Sequence, residues 1–64
     1  QMKTYEFIKQ DGTRWWFFYD RSIRLWTVFE VSEDDIQISP ESDYYHDKGQ
    51  MIEEHDFNFK NTVQ

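Results

Sequence analysis

The sequence predicts a mostly β protein of the α+β class: a three- to four-stranded antiparallel meander sheet with one short helix in the C-terminal half. Three observations carry this. Apolar and polar residues alternate with period two through much of the N-terminal half, as on strands. An Asp11-Gly12 pair interrupts the alternation where a hairpin turn belongs. Apolar residues take up helical spacing only at Met51, Ile52 and His55.

The first strand runs from Thr4 to Lys9, with Tyr5 and Phe7 on one side and Glu6 and Ile8 on the other. After Asp11-Gly12, whose residues both tolerate positive φ, the chain returns as Thr13 to Tyr19. This strand is apolar on both faces: Trp15, Phe17 and Tyr19 on one, Trp16 and Phe18 on the other. That pattern marks a central strand, or one with a face against a partner. Asp20-Arg21-Ser22 is a turn. The third strand spans Arg24 to Val31, with Leu25, Thr27, Phe29 and Val31 alternating against Arg24, Trp26, Val28 and Glu30. Across strands, this reading groups Trp16 and Phe18 with Trp26, and Trp15 and Phe17 with Phe29. Two apolar faces need two covers. The helix or tail is expected on one and a second copy on the other, giving a homodimer. Met51, Ile52, Phe57 and Phe59 wrapping both faces of a monomer is the alternative.

Ser32 to Asp35 is a charged turn, and Ile36-Gln37-Ile38 reads as a short fourth strand. Two helix positions compete beyond it. At 40–48, Ser39 is the N-cap, Pro40 is N1 and Gly49 is the stop, but only Tyr44 and Tyr45 are apolar anchors. At 47–55, the edge strand first continues to His46, Asp47 is then the N-cap, Gln50 closes a capping box, and Met51, Ile52 and His55 face the core. Gly49 inside it costs up to about 1 kcal/mol. The second position buries more and is preferred.

At 64 residues the chain is one domain, taken as 2–60 with a frayed tail at 61–64. Gln1 ahead of Met2 is expected to be left over from a tag, with Met2 the natural start of a complete small protein. Such a chain buries only about 60% of its unfolded surface. Without cysteine it has no disulfide and no Cys-based zinc site. Three Trp, four Tyr and six Phe must supply the core. The lack of cysteine suits a reducing compartment, and a cytoplasmic location is expected. No apolar run approaches the roughly 18 residues of a membrane span.

Charge divides the chain. Up to Val31 there are five cations and four anions; from Ser32 onward there are nine anions and two cations. The halves carry +1 and −7, giving the net −6. The acidic half contains His46-Asp47 and His55-Asp56, but no metal-binding spacing such as HxxxH, and no metal or cofactor is expected. The acidic surround is expected to favour protonated histidine. Catalysis by paired carboxylates needs an acid of raised pKa in a cleft, and these acids lie in polar sequence. Ser22, Ser32 and Ser39 lack a nucleophile-elbow context, and the two glycines form no phosphate loop. An enzyme is therefore not expected. Arg14, Arg21 and Arg24 beside the tryptophans have the chemistry of a single-strand nucleic-acid platform. The net charge of −6 opposes that use.

The candidate binding residues are Asp34, Asp35, Glu41, Asp43, Asp47, Glu53, Glu54 and Asp56, interleaved with Tyr44 and Tyr45. Carboxylates in such a series can mimic phosphates before a basic groove, with the rings as desolvated anchors. The plain alternative is a solvated face that keeps an aromatic-rich protein soluble. In size, acidity and aromatic content the chain resembles small orphan proteins of phages and mobile elements, some of which inhibit host nucleases or restriction systems. The likeness is one of composition and covers no motif. It implies a viral inhibitor acting as a DNA mimic. The expected function is thus a non-enzymatic protein-binding module that meets a basic, nucleic-acid-handling protein. A self-associating accessory protein is second, and a nucleic-acid binder using Arg and Trp third.

Overall fold

The computed structural model describes residues 2–58. Strands β1 (Tyr5–Ile8), β2 (Arg14–Asp20), β3 (Leu25–Val31) and β4 (Asp43–Tyr45) form one antiparallel sheet in that order, followed by helix α1 (Lys48–Glu54). Phe59 and the tail at 61–64 lie outside the described residues.

The first hairpin forms where expected, but with a different turn. Gly12 N–H donates to the Lys9 carbonyl at 2.9 Å, and Lys9 N–H donates to the Thr13 carbonyl at 2.9 Å. Gly12 has φ +89°, while Asp11 is not left-handed. This is a three-residue loop closed by a left-handed glycine rather than a two-residue turn with positive φ at both positions. The Asp11 carboxylate stabilises it by accepting from Thr13 N–H at 2.9 Å and Thr13 Oγ1 at 2.6 Å. At the second turn Arg24 has φ +59° and its N–H donates to the Asp20 carbonyl at 2.7 Å. A left-handed residue cannot extend a strand, so β3 starts at Leu25 rather than Arg24.

That turn sets the register. Asp20 pairs with Leu25, so odd positions of β2 oppose even positions of β3. Tyr19 faces Trp26, Phe17 faces Val28 and Trp16 faces Phe29. Directly opposed residues project to the same side. Trp26 therefore shares a face with Phe17, and Phe29 with Trp16 and Phe18, which corrects the grouping expected across these strands. One face carries Tyr5, Phe7, Trp15, Phe17, Tyr19, Trp26, Val28 and Tyr45. The second carries Ile8, Trp16, Phe18, Leu25, Thr27, Phe29, Val31 and Tyr44.

The first face is the core. Met51 of α1 and Phe57 beyond it close over Phe7, Phe17 and Val28, with Trp15, Trp26, Tyr45 and Ile52 packed around them. Phe57 stacks on Phe7 and Phe17 at 4.9 and 5.7 Å between centroids. The chain reaches that position through a Schellman ending. Asp56 N–H donates to Glu53 O, Phe57 N–H donates to Ile52 O, and Asp56 is left-handed at φ +56°.

The helix occupies the later of its two candidate positions. Asp47 caps it, its carboxylate accepting from Gly49 N–H at 3.1 Å. The capping box does not form, because the Gln50 amide donates forward to Glu54 at 2.8 Å. The edge strand expected to run from Ile36 on to His46 is not continuous. Only Gln37 bridges Val31. Pro40, without an N–H, cannot extend a ladder, and pairing resumes at Asp43.

Candidate functional site

The ten candidate residues do not form one surface. Asp34 and Asp35 sit in the turn after β3, where Asp35 is left-handed at φ +63°. Asp35 Oδ1 lies 2.9 Å from Arg14 Nη2, the same nitrogen that meets Glu6 Oε1 at 2.6 Å. Asp56 is part of the helix ending and lines a small recess beside Lys9 and Asp11, at the tip of the first hairpin. The remaining residues gather along the open edge of β4 and on α1. There the structure brings together Asp43, Tyr45 and Glu54: Tyr45 Oη donates to Glu54 Oε1 at 3.4 Å, and His55 Nε2 stands 3.2 Å from Asp43 Oδ2. Asp47 caps the helix start, Glu53 is exposed on α1, and Glu41 is exposed in the approach to β4. Tyr44 is 54% exposed and points to the second face, away from Tyr45.

This edge is a ridge of uncompensated charge. Among the described residues, the only acids after Val31 within ion-pair distance of a cationic group are Asp35, at Arg14, and Asp43, at His55. Lys48, the one cation on α1, stands 5.6 Å over the Trp26 ring and forms no salt bridge with a described residue. β4 is the last strand of the sheet, so its outer backbone groups are open as well.

His55 sits at the base of the ridge, stacked on Phe57 at 5.5 Å and packed against Trp15 and Tyr45. Burial lowers its pKa, the Lys9 ammonium adds to this, and the carboxylates of Asp43 and Glu54 oppose it without reversing it. The Asp43 contact lacks hydrogen-bond geometry, which leaves Nε2 without a bonded partner. The expectation that acidic surroundings would favour the protonated form is therefore corrected for His55: desolvation by the rings outweighs the nearby charges. Burial, helped by Glu54 and Asp43, also raises the Tyr45 phenol.

The residues that suggested other chemistry are dispersed or engaged. Hydrogen bonds from Trp16 and Arg14 lower the Glu6 pKa, and those from Thr13 and Ser22 lower Asp11 and Asp20. None of these three is poised as a general acid. Arg14 is occupied by Glu6, Asp35 and the Ser32 carbonyl. Trp15 packs on the core and Trp16 donates to Glu6, so these two rings and Arg14 are engaged within the chain. One larger recess, of about 570 Å³, opens at the far end of the core face between Tyr5, Tyr19, Trp26, Lys3 and Arg21. Its only carboxylate, Asp20, is taken up by Ser22.

Sequence reasoning missed the Glu6–Trp16–Arg14–Asp35 network. Its signal is faint: Glu6 alternates onto the Trp16 side of the sheet, but the contact depends on register. No family model matches the chain, and no curated protein or solved structure shows significant similarity to it.

Proposed function

We propose that this chain is a non-enzymatic protein-binding module, a small cytoplasmic inhibitor that sets an acidic ridge into a basic groove built for nucleic acid. The observation that supports it is the ridge along β4 and α1. Glu41, Asp47, Glu53 and Glu54 are displayed there without a cationic partner among the described residues, on elements anchored to the core by Met51 and Phe57. Charges held on a rigid scaffold act before contact. They steer a basic partner into register and reject acidic ones. Tyr44, exposed at the lip of the ridge, supplies the ring that desolvates once contact is made. The likeness in composition to inhibitors from phages and mobile elements points the same way, toward a viral DNA mimic.

The test begins with the protein retained on immobilised chain and released by both salt and duplex DNA. Stopped-flow mixing then compares wild type with a Glu41→Lys, Glu53→Lys, Glu54→Lys variant. The ridge reading expects association to slow by at least about tenfold at low salt, and the gap to close as salt screens the charges. Tyr44→Ala is expected to speed dissociation instead. An association rate that the triple variant leaves unchanged would assign the charge to solubility alone.

A further inference from the structure

The second face of the sheet is largely uncovered. α1 and Phe57 lie on the first face; on the other, the turn at 32–35 closes over the Arg14 and Val31 end, where Ser32 and Asp35 meet Arg14, and the rings beyond that end stay half-buried. Trp16, Phe18, Leu25 and Phe29 are half-buried there, Ile8 is 50% exposed, and Val31 and Thr27 lie beneath the rings. Phe29 meets Trp16 and Phe18 edge-on at 6.4 and 6.3 Å. We propose that this face is the contact between two copies of the chain, packed sheet to sheet around a two-fold axis.

Three arguments select a second copy. The first is polar satisfaction. The Trp16 indole N–H donates to Glu6 at 2.9 Å, Arg14 donates to Glu6 and to the Ser32 carbonyl, and the Gln37 amide donates to the Ser39 carbonyl at 3.1 Å. Covering the face therefore leaves the indole and amide N–H groups named here paired. The second is charge. The uncompensated acids lie on the β4 edge and on α1, so face-to-face packing turns both helices outward. Sheets pack about 10 Å apart, and a helix lies about 10 Å above its sheet. The two acidic helices are then roughly 30 Å apart, more than three screening lengths of about 8 Å. Repulsion between two chains of −6 does not decide the outcome.

The third is area. Strands of four, seven, seven and three residues, at about 3.4 Å per residue and about 4.8 Å apart, offer roughly 340 Å² in projection, and side-chain relief raises the accessible figure. Two copies then bury about 700–800 Å², below the roughly 1,000 Å² of a stable specific interface and in the range of weak, transient contacts. The dimer is therefore weak and reversible. An isologous contact also puts like rings against like around the axis.

Sedimentation of the full chain from about 5 to about 500 µM tests this. The wild type is expected to rise from the 8.0 kDa monomer toward twice that mass. Phe18→Lys, at the centre of the face, is expected to weaken association at least tenfold. Ile8→Asp is expected to weaken it several-fold and has no core contact to lose, with near-UV dichroism confirming that both variants fold. Glu53→Gln with Glu54→Gln is expected to move the constant by less than twofold. A wild type at 8.0 kDa throughout would overturn the proposal and leave this face to the tail or to a foreign partner. A dimer weakened by the helix variant but not by Phe18→Lys or Ile8→Asp would overturn it equally.

Discussion

Phe57→Ala is expected to unfold most of the chain. Phe57 is 1% exposed, and its ring touches Phe7, Phe17, Trp15 and His55 at centroid distances between 4.9 and 6.1 Å. Removing a fully buried phenylalanine costs about 3–5 kcal/mol, because a cavity remains where contacts were lost. Globular domains hold roughly 0.05–0.15 kcal/mol per residue, so a chain this short has about 3–10 kcal/mol in total. The lesion therefore consumes much of the stability. It also releases α1, since a seven-residue helix does not persist in water without tertiary contacts. The acidic ridge would go with it. Urea titration followed by tryptophan fluorescence measures the loss, and far-UV dichroism follows the helix. Phe57→Leu, which refills most of the volume, is expected to cost about 1–1.5 kcal/mol and keep the fold. A Phe57→Ala protein that stays folded with a loss under about 1 kcal/mol would refute the reasoning. The core would then be held by β1, β2 and β3 without the C-terminal cover.

Thr27→Val is expected to stabilise the monomer by about 1 kcal/mol, because the Thr27 hydroxyl is buried on the second face without a hydrogen-bond partner; thermal melts near 5 µM check this, and a loss of stability would mean the hydroxyl is bonded. Asp56→Gly is expected to add about 1 kcal/mol by relieving the left-handed position of the helix ending, provided the Schellman bonds are retained; a lower melting temperature would count against that geometry. His55 has a folded pKa below its unfolded value, so the unfolded chain binds the proton first as pH falls. The stabilisation from neutral His55 is complete above the unfolded value near 6.5 and is lost as pH falls from there toward the lower folded value. Relative to wild type, His55→Gln is expected to lose less stability between pH 7.5 and 5.5 in urea titrations, and identical slopes would show that the ring is not desolvated.

The elements whose signals are local were legible in the sequence. Alternation around an Asp-Gly pair requires only neighbouring residues, so β1, β2 and the turn between them could be placed within a residue or two. Asp47 ahead of Met51 and Ile52 likewise located α1, because a cap and an amphipathic turn are short-range features. The candidate surface was legible only as a list of acids. Sequence places Asp35 and Asp56 beside the others, while the fold gives one to Arg14 and makes the other the left-handed end of a helix.

By itself, then, the sequence determined the β-rich class, the two-faced character of the second strand and the segregation of charge. These follow from residue type and period, which hold however the strands are arranged. Tertiary structure alone decided which aromatics share a face, since one residue more or less in the turn before Leu25 would exchange every partner of β2. It also decided that, of the edge strand expected from Ile36 to His46, Asp43 to Tyr45 completes the sheet while Gln37 contributes a single bridge. And it decided that His55 is drawn toward neutrality in acidic surroundings, because burial against three rings is a property of packing rather than of neighbours in the chain.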